Sequence, residues 1–141
     1  MGRISKEFLS LEQVNGLLFE DNKIVEEPVE RSVFPWGSND RIAVLNSKLY
    51  PQKYYWFSCV TDYFMEIGIS KVCFICGYEG ICIIPIDIIK KYNKYSGWKA
   101  NKKGRSYFVR IRQRNGITYL FADADHELID ITQYFTPIKM D

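Results

Sequence analysis

One dipeptide constrains this chain more than any other local feature. Asn115-Gly116 separates residues 107–114 from residues 117–122, two runs rich in β-branched and aromatic side chains. Asn-Gly suits the positive φ angles of a type I′ turn, so a tight antiparallel hairpin is predicted here. Within Phe108-Val109-Arg110-Ile111-Arg112-Gln113-Arg114, a two-residue repeat sends Arg110, Arg112 and Arg114 to one face and Val109 and Ile111 to the other.

The rest of the chain supplies further short elements. Ser10-Leu11-Glu12-Gln13 is a capping box opening a short helix with Leu11, Val14, Leu17 and Leu18 on one side and Gly16 weakening it. Residues 21–41 mix turn formers (Pro28, Pro35, Gly37, Ser38, Asn39, Asp40) with short β-like pieces such as Ile24-Val25 and Val33-Phe34. Residues 54–60 suit a strand, and 62–67 a short helix stopped by Gly68. Residues 72–78 and 80–84 read as a buried hairpin, followed by a helix from Pro85 to about Tyr92. A last strand or short helix spans 128–135. Tightly connected strands are mainly antiparallel. The expected class is therefore α+β: a curved sheet or partly closed β-barrel with two or three short helices, formed by residues 1–141 as a single domain. A doubly wound nucleotide fold is disfavoured, because strand-helix alternation and a Gly-x-Gly-x-x-Gly are both missing.

Composition bounds the partners. The 141 residues are 47% hydrophobic and 26% charged, enough for one core without disulfide staples. No apolar run approaches the ~20 residues of a membrane span, and the first residues lack a signal peptide's apolar stretch, so a cytoplasmic location is expected, with no membrane partner. The net charge of +2 hides a segregation: Lys90 to Arg114 carries ten of the 19 Lys and Arg residues and no acid. The first thirty residues carry seven acids against three bases. Such asymmetry points to a polyanionic partner, and a solvated basic loop is its plain alternative.

Catalytic and metal chemistry find little support. Cys73 and Cys76 have zinc-like spacing, but three residues apart in a strand they face opposite sides, and no second pair accompanies them. Small buried thiols explain them better. The single histidine, His126, lies among carboxylates with no nucleophile signature nearby. Asp123, Asp125 and Glu127 alternate and would bind a hard cation if they shared a strand face; a solvated turn accounts for them as well. Asp21-Asn22-Lys23 is the one Asp-x-Lys match to a metal-dependent nuclease, a tripeptide frequent by chance. No cofactor is expected.

Three like charges at adjacent same-face positions repel unless anions sit over them. Guanidinium groups grip phosphates in a bidentate fork or read guanine in a major groove. Trp98, Lys99, Lys102, Lys103 and Arg105 lie just before this strand, in a loop of cations, aromatics and small residues suited to entering a groove or stacking on a base. A second loop, from Phe34 to Arg41, offers Trp36 and Arg41 beside polar groups. Most of the aromatic residues should pack in the core, with a subset as candidate cage walls for a flipped or methylated base.

The succession Tyr55-Trp56-Phe57-Ser58, Val72-Cys73-Phe74-Ile75-Cys76-Gly77, Ile83-Ile84-Pro85-Ile86-Asp87-Ile88-Ile89, the basic hairpin and Ile129-Asp130-Ile131-Thr132-Gln133-Tyr134-Phe135 resembles recognition modules of prokaryotic restriction endonucleases. Those modules are similar to DNA-reading pseudobarrels of the plant B-three, SRA and EVE kinds. The likeness spans residues 54–135 and rests on hydrophobic spacing. It implies a DNA-binding module of a restriction or defence system that reads a target sequence or modified base in double-stranded DNA without catalysis of its own. A nuclease or motor domain in the same chain or complex would act after recognition. Two other classes stand beside it: a small metal-dependent nuclease using Asp21, Lys23 and another acid, and a protein-interaction module with a basic face.

Overall fold

A computed structural model describes residues 8–19, 23–25, 27–30, 32–37, 40–96, 107–123 and 126–138, with the backbone alone at 94–96, 107, 122–123 and 126–128. Its elements are α1 (Leu11–Leu17), β1 (Val33–Trp36), β2 (Asp40–Ser47), β3 (Tyr54–Cys59), α2 (Thr61–Glu66), β4 (Lys71–Cys76), β5 (Gly80–Pro85), α3 (Ile86–Ser96), β6 (Tyr107–Arg114), β7 (Ile117–Asp123), β8 (His126–Asp130) and β9 (Phe135–Pro137), with a 3₁₀ turn at Thr132–Tyr134.

The strands form two sheets, ordered β1-β2-β4-β5-β9 and β3-β6-β7-β8, and do not close into a barrel. The α+β class with curved, mainly antiparallel sheet stands, and the barrel alternative does not. One pair departs from the antiparallel expectation: β2 and β4 run parallel, from Ile42 beside Lys71 to Ser47 beside Cys76. The chain between them builds β3 and α2, the long crossover that parallel strands need.

Local chemistry explains most boundaries. At α1 the Ser10 hydroxyl accepts from the Gln13 amide, and the Gln13 side chain accepts from the Ser10 amide, so both halves of the capping box form. Asn115 and Gly116 have φ values of 53° and 79°, the left-handed pair that a I′ turn requires. Pro35 sits in β1, an edge strand, where a missing amide proton costs little. The last segment divides in three: β8, the 3₁₀ turn, and β9, which leaves its neighbour's sheet to pair with β5.

Two apolar clusters sandwich the five-stranded sheet. One gathers Ala43, Val72, Phe74, Cys76, Cys82 and Ile84 from that sheet with Tyr55, Phe57, Val109, Ile111 and Leu120 from the other, joined by Phe64 of α2 and Ile89 and Tyr92 of α3. The second covers the opposite face, where Ile42, Val44, Cys73, Ile75 and Ile81 meet Leu9 and Val14 around α1. The described residues among the first fifty thus complete the five-stranded sheet and cap its far side. The outer face of β3-β6-β7-β8 is left without a covering element among the described residues.

Candidate nucleic-acid interface

β6 alternates as its sequence requires. Val109 and Ile111 are fully buried against the other sheet, while Arg110 and Arg112 both lie over the ring of Phe121 on the outer face. Arg114 continues the alternation at the exposed end of the strand. The three arginines are the only charged residues of β6, and its neighbour β3, Tyr-Tyr-Trp-Phe-Ser-Cys, has none.

The guanidinium groups do not stand out from the sheet like teeth, as the spacing alone suggested. Those of Arg110 and Arg112 lie 4.7 and 4.5 Å from the Phe121 centroid, and Arg110 also sits 5.8 Å from that of Tyr54. A ring's negative face attracts cations, so one phenyl group shared by two arginines tempers their mutual repulsion. Phe121 and Tyr119, on the outer side of the sheet, are only 1% and 2% exposed, Phe121 beneath the two guanidinium groups. Arg112 further donates through Nη2 to the Gln52 carbonyl at 3.4 Å. Among the described residues, neither Arg112 nor Arg114 has a carboxylate within ion-pair distance.

β3 supplies the aromatic half. Its alternation buries Tyr55 and Phe57 in the core and leaves Tyr54 and Trp56 part-exposed on the outer face. Register places Tyr54 beside Arg112 and Trp56 beside Arg110. Trp56 packs edge-on against Phe108, with centroids 4.7 Å apart. Its Nε1 is buried with no hydrogen-bond partner among the described residues. Its amide, by contrast, donates to the Ser47 hydroxyl at 2.9 Å, fastening β3 to the end of β2. Acids stand toward the other edge, where Glu127 of β8 lies beside Phe121 and Asp130 beside Tyr119; Thr132, bonding through its hydroxyl and amide, holds the Asp130 carboxyl below its usual range.

The remaining candidates separate from this face. Trp36 is 9% exposed and packs in the α1-side cluster, with Lys71 Nζ 5.0 Å from its ring. It is a core residue and does not present a stacking surface, which corrects its expected role. Arg41 is exposed on β2, in the other sheet. Trp98, Lys99, Lys102, Lys103 and Arg105 lie outside the described residues, as do Asp21 and Asp125.

Cys73 and Cys76 do face opposite sides of β4, one in each apolar cluster. Burial pushes the Cys59 thiol up to about 12 and raises those of Cys73 and Cys76, which suits packing groups rather than nucleophiles. Sequence reasoning missed Tyr50, Lys48 and Phe121. It also missed Tyr54 and Trp56, for which the available signal was alternation within Tyr54-Tyr55-Trp56-Phe57, which assigns half of an all-aromatic run to the outside.

Fold and face together define an α+β protein of two packed sheets with one outer surface that is cationic and aromatic. The chain matches no family profile, no curated protein and no solved structure.

Proposed function

We propose that this protein is a DNA-binding module, without catalysis of its own, that meets its target across the outer face of β3 and β6. The observation that carries the proposal is the row Arg110, Arg112 and Arg114 on alternate positions of one strand, beside an uncharged aromatic strand. Arginine combines a bidentate grip on phosphate with a flat face that stacks on rings, and both ring-seated guanidinium groups lie on the face proposed to meet the anion. Trp98, Lys99, Lys102, Lys103 and Arg105 extend the same cationic sequence into β6 and join the proposed contact set. The likeness to restriction-system recognition modules extends the proposal to a defence role, in which a nuclease or motor domain acts after this module has bound.

Titration with DNA at several salt concentrations tests it. Each phosphate contact contributes roughly −0.9 to the slope of log K against log salt on a duplex and about −0.7 on a single strand. Replacing Arg110, Arg112 and Arg114 together by Gln should flatten the slope by about 2 to 3 and weaken binding, whereas the triple Lys variant should keep most of the slope. A slope near zero for the unaltered protein, or one unchanged in the Gln variant, contradicts the proposal.

A further inference from the structure

Six rings run in contact across the outer face in the order Phe108, Trp56, Tyr50, Tyr54, Phe121 and Tyr119, with successive centroids 4.7, 6.1, 5.7, 5.8 and 6.1 Å apart. Phe121 and Tyr119 are roofed over, but Tyr50, Tyr54, Trp56 and Phe108 remain part-exposed. The strip lies outside the core between the sheets, and its part-exposed rings offer apolar surface to a ligand.

The strip is set before any ligand arrives. Tyr50 and Tyr54 stack at 15° between ring planes. Their backbones are tied: the Tyr50 amide donates to the Tyr54 carbonyl at 3.0 Å, and the Lys53 amide to the Tyr50 carbonyl at 2.8 Å. Pro51 stiffens this turn and Lys53 closes it at a φ of 67°. Such preorganisation removes ordering cost from binding.

The cations around the strip select the guest. Lys48 Nζ lies over the Tyr50 ring, 5.5 Å from its centroid, Arg110 lies over both Tyr54 and Phe121, and Arg112 lies over Phe121. A quaternary ammonium or methylated lysine, the usual guest of an aromatic cage, would meet three like charges. The chemistry that fits is anionic with flat π faces. A DNA duplex offers phosphates but keeps its base faces stacked inside, whereas an unpaired strand offers both. Building on the DNA-binding function proposed above, we infer that Tyr50 and Tyr54 form a base-stacking platform for single-stranded DNA, with Lys48 and Arg112 flanking it at the strand's phosphates. The target then differs from the double-stranded DNA expected from the sequence.

The experiment compares a labelled oligothymidine strand, the same strand with abasic sites, and the corresponding dA·dT duplex, by fluorescence anisotropy at fixed salt. The intact single strand should bind tightest, and losing one stacked base should weaken binding roughly 5- to 150-fold. Tyr50→Ala and Tyr54→Ala should each cost a similar factor, while Tyr50→Phe and Tyr54→Phe, which keep the ring, should bind like the unaltered protein. The abasic arm alters only the ligand and so stays decisive even for a variant that folds poorly. Equal binding of abasic and intact strands, or tighter binding of the duplex, overturns the stacking platform. If that happens while the arginine-dependent salt slope persists, DNA binding stands and only the platform falls; no binding to any of the three removes both.

Discussion

Tyr92 shows how one buried hydroxyl positions the proposed surface. The side chain is fully buried at the middle of α3, its hydroxyl donates to the Phe121 carbonyl at 2.7 Å, and it accepts from the Arg110 amide at 3.3 Å. It therefore pins β6 and β7 at the two residues whose side chains stack on the other side of the sheet. Burial raises the Tyr92 phenol pKa, against an opposing pull from Arg110, so the group stays a donor. Tyr92→Phe should leave both backbone groups without this partner and cost about 1–3 kcal/mol, seen as a lower urea midpoint at unchanged m-value. An unchanged midpoint would show that water replaces the hydroxyl freely. A second buried relay lies nearby: Asn93 Nδ2 donates to the Thr61 hydroxyl at 2.6 Å, which in turn donates to Cys59 Sγ at 3.4 Å, joining α3, α2 and β3. Neither partner set was visible in the sequence, because a tyrosine or asparagine on an amphipathic helix carries no mark of which carbonyl it will reach.

Elements were legible where a local rule acts alone. The Ser10 capping box, the Asn115-Gly116 turn and the helix stop at Gly68 follow from side chains within a few residues and form; the helix expected from Pro85 to about Tyr92 forms one residue later, at Ile86–Ser96, with Pro85 closing β5. β2 was not anticipated, although Ile42-Ala43-Val44-Leu45 is strongly β-forming, because the turn formers just before it dominated the reading of that region. Its parallel pairing with β4 depends on a partner that follows two intervening elements, which no short-range pattern announces. β9 is held in the same way by distant contacts. A Cβ at Gly80 would collide with the Thr136 carbonyl and come within 2.8 Å of Pro137 Cα, so this glycine admits β9 to the sheet edge. Gly80→Ala should displace β9 and lower stability by about 1–3 kcal/mol, with faster amide exchange at Thr136 and Pro137's neighbours. Full retention of stability would mean that β9 contributes nothing there.

At the scale of the molecule, function follows from layering. α1 covers one side of the five-stranded sheet, the second sheet and two helices cover the other, and the remaining outer face collects arginines and rings that no apolar layer needs. The direction of the arginines was readable from their two-residue repeat, since Val109 and Ile111 had to be buried. Their stacking on Phe121 was not, because Phe121 comes from another strand and its position across from Arg110 depends on hairpin register. Trp36 illustrates the converse: a tryptophan beside Gly37 in a turn-rich stretch reads as exposed, yet an edge strand and the α1 layer enclose it. The central claim, that the outer face of β3 and β6 is the DNA-binding surface, is tested most directly by mapping amide chemical shifts of labelled protein during titration with whichever of the oligothymidine strand and the duplex binds tighter. Shifts concentrated at Tyr50, Tyr54, Trp56, Arg110, Arg112 and Arg114, with Val14, Ile42 and Cys73 on the α1 side unmoved, are the predicted result. Shifts gathered on the α1 side, or none at saturating DNA, would contradict it.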